Sequence, residues 1–304
     1  MDQDRGAARM LTGLLESALR PLVDGGRYAL IDYPLYHNPG DAAIWLGTRQ
    51  ILGGLFGTAP AYTATLRGFD PDTCRRRIGG GTVFLLGGGN FGGLYSRHHD
   101  MRLRVIAAMA GNRIVQLPFS VAGLDEALEP TRKVLAAHGN VTLIAREAHS
   151  QAVVARLLGE RPLLAPDAAH GLRLPVGAPI RDETRLLRRD REAAASGTRI
   201  DAGDSWDWAD LPRLRWLNRA GKAALALAPA AAAPALRDRL ARAKVETAAA
   251  RLAEGQTVVT DRLHGAILAS VIGRKTVVRD NATGKVAAYL QTWGKGLPSC
   301  RLDG

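Results

Sequence analysis

The stretch QTVVTDRLHGAILASVIGRKTVVR, residues 256–279, carries the fold of this chain. It opens on a β-branched run, QTVVT (256–260), which reads as a buried strand. A turn and an apolar helix follow over 261–272, and a second β-branched run, KTVVR (275–279), closes the unit. Strand, helix and strand within this length form a βαβ unit and demand a parallel sheet. The same rhythm recurs upstream. YALID (28–32), TVFLL (82–86), RIVQL (113–117), VTLIA (141–145) and a short run at 163–165 read as strands. Each is apolar throughout, as suits burial on both faces. Helices are expected from about residue 42, over 149–158 and over 284–293, and RLLRRD (185–190) reads as a charged, strand-like stretch.

The Pro- and Gly-rich segment GLRLPVGAP (171–179) interrupts this rhythm and reads as a boundary. The expectation is α/β, with two Rossmann-like domains, 1–170 and 171–304, facing each other across a cleft. Beyond the boundary come a Trp- and Asp-rich segment (201–210) and two Ala/Arg-rich helices broken at Pro229 and Pro234. The alanine run 230–233 reads as a helix joint.

Composition narrows the function classes. The net charge is +12, from 41 Lys and Arg against 29 Asp and Glu, but only six of the cations are Lys. The Arg is scattered along Ala-rich helices, without a zinc finger, helix-turn-helix or aromatic RNA signature, so no nucleic-acid partner is expected. An anionic small substrate or an anionic membrane surface fits this charge better. Two cysteines, Cys74 and Cys300, are too few for a disulfide framework or a zinc site. The charged start MDQDRGAARM and the lack of a long apolar run give the expectation of a soluble, cytoplasmic protein.

In open parallel sheets, ligands bind at the carboxyl ends of the strands. Five segments at such ends carry the candidate residues. In HNPGD (37–41), Asn38 and Asp41 either shape and cap the next helix or face a sugar hydroxyl. In GGGNFGG (87–93), Gly88, Gly89 and Asn90 give a backbone that an anion or sugar can approach closely. That segment lacks both a dinucleotide fingerprint and a P-loop lysine. In REAHS (146–150), Arg146 is placed for a carboxylate or phosphate, unless it only pairs with Glu147. In TDRLHGA (260–266), Arg262 adds a cation, and His264 in a helix's first turn can stay neutral and move protons. Asp280 and Asn281 follow the last of these strands, either as a helix cap or as ligand contacts.

Taken in order, LIDYPLYHNPGDAAIWLG, FLLGGGNFGGL, RIVQLPFS, AREAHS, LLAPDAAHGL, LLRRDREA, VVTDRLHGAIL and DNATGKVAAYLQTW resemble the polysaccharide pyruvyltransferase family, especially its exopolysaccharide branch. The resemblance runs from about residue 28 to residue 293. It implies the two-domain arrangement of GT-B glycosyltransferases. It implies phosphoenolpyruvate as donor and a lipid-linked or nucleotide-linked sugar diol as acceptor, joined as a cyclic ketal. It also implies that Arg146, Arg262 and His264 match donor-binding and catalytic positions, with Leu263 adjacent. Three positions depart: Gly93 and Glu147 where Asp is usual, and Phe119 where the family is polar. These bear on acceptor contacts more than on donor chemistry.

The expected scheme uses Arg146 and Arg262 for the donor's two anionic groups and His264 for proton transfer. It needs no cofactor or metal ligand set, and leaves a weak Mg²⁺ dependence open. Peripheral contact with an anionic membrane, where a lipid-linked acceptor would reside, is a further expectation. The alternatives are a GT-B-type glycosyltransferase using a nucleotide-sugar, with RLLRRDRE as a source of diphosphate contacts, and a non-catalytic subunit of a polysaccharide assembly complex.

Overall fold

The computed structural model describes residues 2–190, 192–193, 205–229 and 231–303. Within the stretches singled out above, Arg191, Ala230 and residues 201–204 lie outside the described residues. The first sheet is parallel and built from β1 (Tyr28–Tyr33), β2 (Tyr62–Thr65), β3 (Thr82–Leu85), β4 (Gly88–Phe91), β5 (Ile114–Val121), β6 (Val141–Ala145) and β7 (Leu163–Leu164). Its order is β2-β1-β3-β5-β6-β7, with β4 beside β5. Around it run α1 (Asp2–Leu19), α2 (Pro39–Phe56), α3 (Pro71–Ile78), α4 (Ser96–Ala108), α5 (Leu128–His138) and α6 (Ala148–Leu158).

The second sheet, also parallel, comprises β8 (Arg181–Leu186), β9 (Ser205–Trp206), β10 (Gly255–Thr260), β11 (Lys275–Val278) and β12 (Cys300–Leu302). Its order is β12-β11-β10-β8-β9. Its helices are α7 (Pro212–Leu227), α8 (Ala233–Ala253), α9 (Leu263–Val271) and α10 (Lys285–Trp293). Residues 256–279 thus form the βαβ unit, with β10 and β11 adjacent and parallel. Two expectations shift. The strand expected at 185–190 lies earlier, because Arg181–Leu186 pairs with Gly255–Thr260 and Leu187 onward leaves the ladder. The GGGNFGG segment does more than offer open backbone, since Gly88–Phe91 adds a short strand against β5.

Strand order creates two places where adjacent strands send their connections in opposite directions. One lies between β1 and β3, the other between β8 and β10. Such switch points leave a crevice at the carboxyl ends of the strands.

The two sheets share one continuous apolar core. Helix α2 is buried along most of its length and packs against α8 and the turn at Ala168–Gly171. A Cβ at Gly47 would stand 1.9 Å from the Ala168 carbonyl oxygen, so this approach requires glycine. Trp45 Nε1 donates to Asp238 (2.8 Å), and Arg49 grips the same carboxylate with Nε and Nη2 (3.1 and 2.8 Å), tying α2 to α8. Helix α1 comes first in the chain yet packs against α9, with Leu11, Leu15 and Leu19 buried.

Candidate active site

A cleft of about 410 Å³ opens at the carboxyl ends of both sheets, fed by both switch points. The first sheet contributes Tyr36, His37, Asn38 and Asp41 after β1, Gly89 and Asn90 of β4, Tyr95 and His98 beyond it, and Arg146 after β6. The second contributes Arg188, Arg189 and Asp190 after β8, Asp207 and Trp208 after β9, Arg262, Leu263 and His264 after β10, and Asn281 and Lys285 after β11. Asp261 closes the second switch point by accepting from the Arg188 amide (2.9 Å).

His264 is the second residue of α9. Its Nε2 lies 3.2 Å from Asp167 Oδ2. Burial alone would raise the Asp167 carboxyl, but His264 and Arg146 beside it outweigh that and hold it well below the usual carboxylate range. An ionised carboxylate only accepts, so Nε2 carries the proton and the lone pair of the neutral ring falls on Nδ1. Nδ1 makes no hydrogen bond to a described residue. The ring rests against the start of α2: a Cβ at Gly40 would stand 2.7 Å from His264 Cβ, Cγ and Nδ1. Asp167 is fixed in turn. Its amide donates to Tyr289 Oη (3.0 Å) and its Oδ1 accepts from the Ala169 amide (2.9 Å).

Both arginines at the strand ends are already engaged. Arg146 is 2% exposed; its Nη1 donates to Asp167 (2.9 Å) and its Nε and Nη2 to Ser120 Oγ (3.1 and 2.6 Å). Glu147 stands further off, at 3.7 Å, so Asp167 is the principal partner. Arg262 forms a two-pronged pair with Asp207 (2.6 and 2.7 Å) and reaches Asp190 at 3.1 Å. Five cationic side chains and four carboxylates line the cleft, so the excess charge of the chain is not concentrated there. A positive opening remains at Gly89. The place a Cβ would take there is 3.5 Å from Arg146 Nη2 and 3.8 Å from Lys285 Nζ. Lys285 donates to the Gly89 carbonyl (3.1 Å) and pairs with Glu192 (3.3 Å); burial draws its pKa down, and Glu192 offsets part of that.

The facing wall carries a second carboxylate–imidazole pair, His98 Nδ1 to Asp32 Oδ2 at 2.9 Å. Burial opposes a charge on His98, yet Asp32 raises its pKa overall. Asp32 is, among the described residues, the one non-glycine with positive φ (79°), a backbone strain of the kind found at ligand sites. Arg102, fully buried beneath, donates Nη2 to Asn90 Oδ1 (2.9 Å), which turns the Asn90 amide nitrogen away from it.

Of the residues expected from sequence, Asn38, Asp41, Gly89, Asn90, Arg146, Arg262, Leu263, His264 and Asn281 line the cleft. Gly88 lies just behind, 3.5 Å from Asp41 as measured from the place of its missing Cβ. Asp280 does not line it; its Oδ1 accepts from the amides of Asn281 and Ala287. The cap of α2 is Asn38, which accepts from the Gly40 amide (2.9 Å), and not Asp41, whose Oδ2 is held by Tyr36 and Asn38. Gly93 packs against Glu126, Phe119 stacks on Phe91, and Glu147 is buried against Ser120, so none of the three departing positions lines the cleft. Sequence reasoning missed Asp167, Asp207 and Lys285. Asp167 carries a usable signal, a carboxylate three residues beyond the strand LL; Lys285, at the start of a helix, carries none. Among the described residues, no three His, Cys, Asp or Glu side chains are grouped to hold a metal ion.

Residues 38–283 match the family described as polysaccharide pyruvyl transferase. EpsO of Bacillus subtilis (strain 168), named as a candidate pyruvyl transferase, is 29% identical over 290 residues, covering 89% of this chain and 86% of its own length. Pyruvyl transferase 1 of Schizosaccharomyces pombe is 29% identical over 299 residues, covering 91% of this chain and 71% of its own. Among solved structures, a functionally uncharacterized protein from Klebsiella pneumoniae superimposes with a TM-score of 0.62 over 97% of this chain and 98% of that one. At 18% identity this establishes a shared fold.

Proposed function

The chain belongs to the polysaccharide pyruvyl transferase family, and from that membership we propose that it moves a pyruvyl group from phosphoenolpyruvate to a sugar diol, forming a cyclic ketal on a surface glycan. The observation that carries the reading is the arrangement around His264. Asp167 holds one ring nitrogen, Gly40 gives the ring its place, and the other nitrogen has no hydrogen-bond partner among the described residues. The division into two domains near residue 171, arranged as in GT-B enzymes, belongs to the same proposal.

The donor brings a phosphate and a carboxylate. The opening at Gly89 between Arg146 and Lys285 suits one of them, with Arg262 on the opposite wall for the other. In the reaction the C2–O bond to phosphate breaks, and two C2–O bonds to the sugar form. Of the two hydroxyl protons, one ends on C3, which becomes the methyl, and the other leaves with phosphate. Protonation of C3 makes C2 cation-like, and that is where a hydroxyl attacks. His264 is the group proposed to carry a proton in this exchange, with Asp167 fixing its tautomer and stabilising its charged form. Asn38, Asp41 and Asn281 are proposed to orient the sugar, which reaches the cleft linked to a lipid or a nucleotide.

The test incubates the protein with phosphoenolpyruvate and a fractionated pool of lipid-linked and nucleotide-linked sugars. Phosphate release and product masses are followed together. The expected result is one phosphate released per pyruvyl group gained by an acceptor. Consumption of a nucleotide-sugar donor, with phosphoenolpyruvate untouched, would overturn the reading in favour of glycosyl transfer.

A further inference from the structure

Helix α7 has a face that no described residue covers. Its inner side packs through Leu214, Leu217 and Gly221, the last pressed against Leu240. Its outer side presents Trp216, 65% exposed, and Leu227, 86% exposed, two of the few large apolar side chains left in solvent. At helical spacing these fall with Ala223 in one stripe. Arg213 flanks the stripe on one side; Arg215, Arg219 and Lys222 flank it on the other, all exposed. The helix contains no Asp or Glu, and none of these four cations is paired with a carboxylate among the described residues. An apolar stripe bearing Trp and rimmed by cations is the pattern of a helix lying in the headgroup region of a bilayer. It does not suit a second copy of the same face, since four like charges would then oppose four others.

The helix begins at the mouth of the cleft. Trp208 and Ala209 line the cleft, and Pro212 starts α7 three residues later. Arg215, in the first turn, is near enough to the cleft residue His37 to add the smallest contribution to its lowered pKa, after burial, Lys244 and Arg262.

We propose that the outward face of α7 docks the protein on an anionic lipid bilayer, with Trp216 at the headgroup boundary and Arg213, Arg215, Arg219 and Lys222 on lipid phosphates. Among the described residues no helix is long and apolar enough to cross a membrane, so this contact is peripheral. The reading of pyruvyl transfer is needed only to say what the cleft meets there, a lipid-linked sugar; the docking itself does not depend on it.

The test is co-flotation of the whole protein with vesicles, measured without donor or acceptor. Vesicles of mixed phosphatidylglycerol and phosphatidylcholine should carry the protein; pure phosphatidylcholine should not. Raising salt to about 1 M, where the Debye length falls to about 3 Å, should release it. The double variant Arg215→Glu/Arg219→Glu should bind about tenfold more weakly or worse. Lipids brominated on their acyl chains should quench wild-type tryptophan emission, and Trp216→Phe should abolish that quenching, which reports on the stripe without disturbing charge. Circular dichroism and melting of each variant establish that it is folded. Three results overturn the proposal: no flotation with the anionic vesicles, flotation that folded charge-reversed protein retains in full, or binding to a DNA duplex in place of the vesicles that the same reversals abolish. Because no turnover is measured, failure here leaves pyruvyl transfer standing, and failure of pyruvyl transfer leaves the docking result intact.

Discussion

At the scale of single residues, the site is a set of side chains whose charges are spoken for before any ligand arrives. Asp167 serves two masters, Arg146 at 2.9 Å and His264 at 3.2 Å. Replacing it with Asn keeps the shape and removes the acceptor that fixes the His264 tautomer. Asp167→Asn is therefore expected to lower kcat by about 10²–10⁴-fold, the range a correctly oriented proton-transfer group supplies. Loss of the buried partner of Arg146 should also lower the melting temperature, so kcat is to be read on folded protein. Gly89→Ala tests a different property. A methyl there would sit between Arg146 and Lys285. The expected result is a rise in the donor KM of about tenfold or more with kcat less affected, as befits a lost binding contact. His264, Arg262 and Arg146 were legible in the sequence because each follows a recognisable apolar strand. The carboxylates that pair with them were not. Asp167 and Asp207 are brought to the arginines by strands of their own, and sequence spacing does not reveal which strand ends become neighbours.

Among the elements, β10, α9 and β11 stand where their apolar pattern places them, because continuous β-branched runs admit little else in a doubly covered sheet. Strand β4 was not legible. Gly88 and Gly89 lack strand propensity, and the strand comes from the register of Gly88 against Phe119 and of Phe91 against Val121 of β5. The start of α2 was half legible. Asn38 and Asp41 are both capping types, and the geometry that separates them is set by Pro39 at the first helical position. Asn38 accepts from the Gly40 amide and donates to Asp41, so one amide holds both the helix start and a cleft carboxylate. Asn38→Ala is expected to cost about 1 kcal/mol of stability, seen as a lowered urea midpoint at unchanged m-value. Asp41, then held by Tyr36 alone, should be less well placed and the acceptor KM should rise, since both residues line the cleft.

For the whole molecule, charge and pH tie the two sheets together. His99, on the buried side of α4, and His170, stacked on Tyr289 where the sheets meet, are both pushed down from 6.5 to about 4 by burial. Between pH 6.5 and 4 the unfolded chain therefore binds more protons than the folded one. Their contribution is complete above pH 6.5 and is lost as pH falls through that window, by up to about 3 kcal/mol for each group. Melting temperature should thus decline steeply from pH 7 to about pH 4.5, and His99→Gln should flatten that decline. The cleft lies between the same two sheets, and the proposed pyruvyl transfer there depends on His264, oriented by Asp167, to move the proton. The most direct measurement is single-turnover reaction of phosphoenolpyruvate with the identified acceptor, following phosphate and ketal product together in wild type and His264→Ala. Wild type is predicted to give equal amounts of phosphate and ketal. The variant should stay folded and bind the donor with near-normal affinity, and its turnover should slow by about 10²–10⁴-fold. Undiminished ketal formation by folded His264→Ala would remove His264 from the proton transfer, and a wild-type protein that leaves phosphoenolpyruvate intact would rule out pyruvyl transfer.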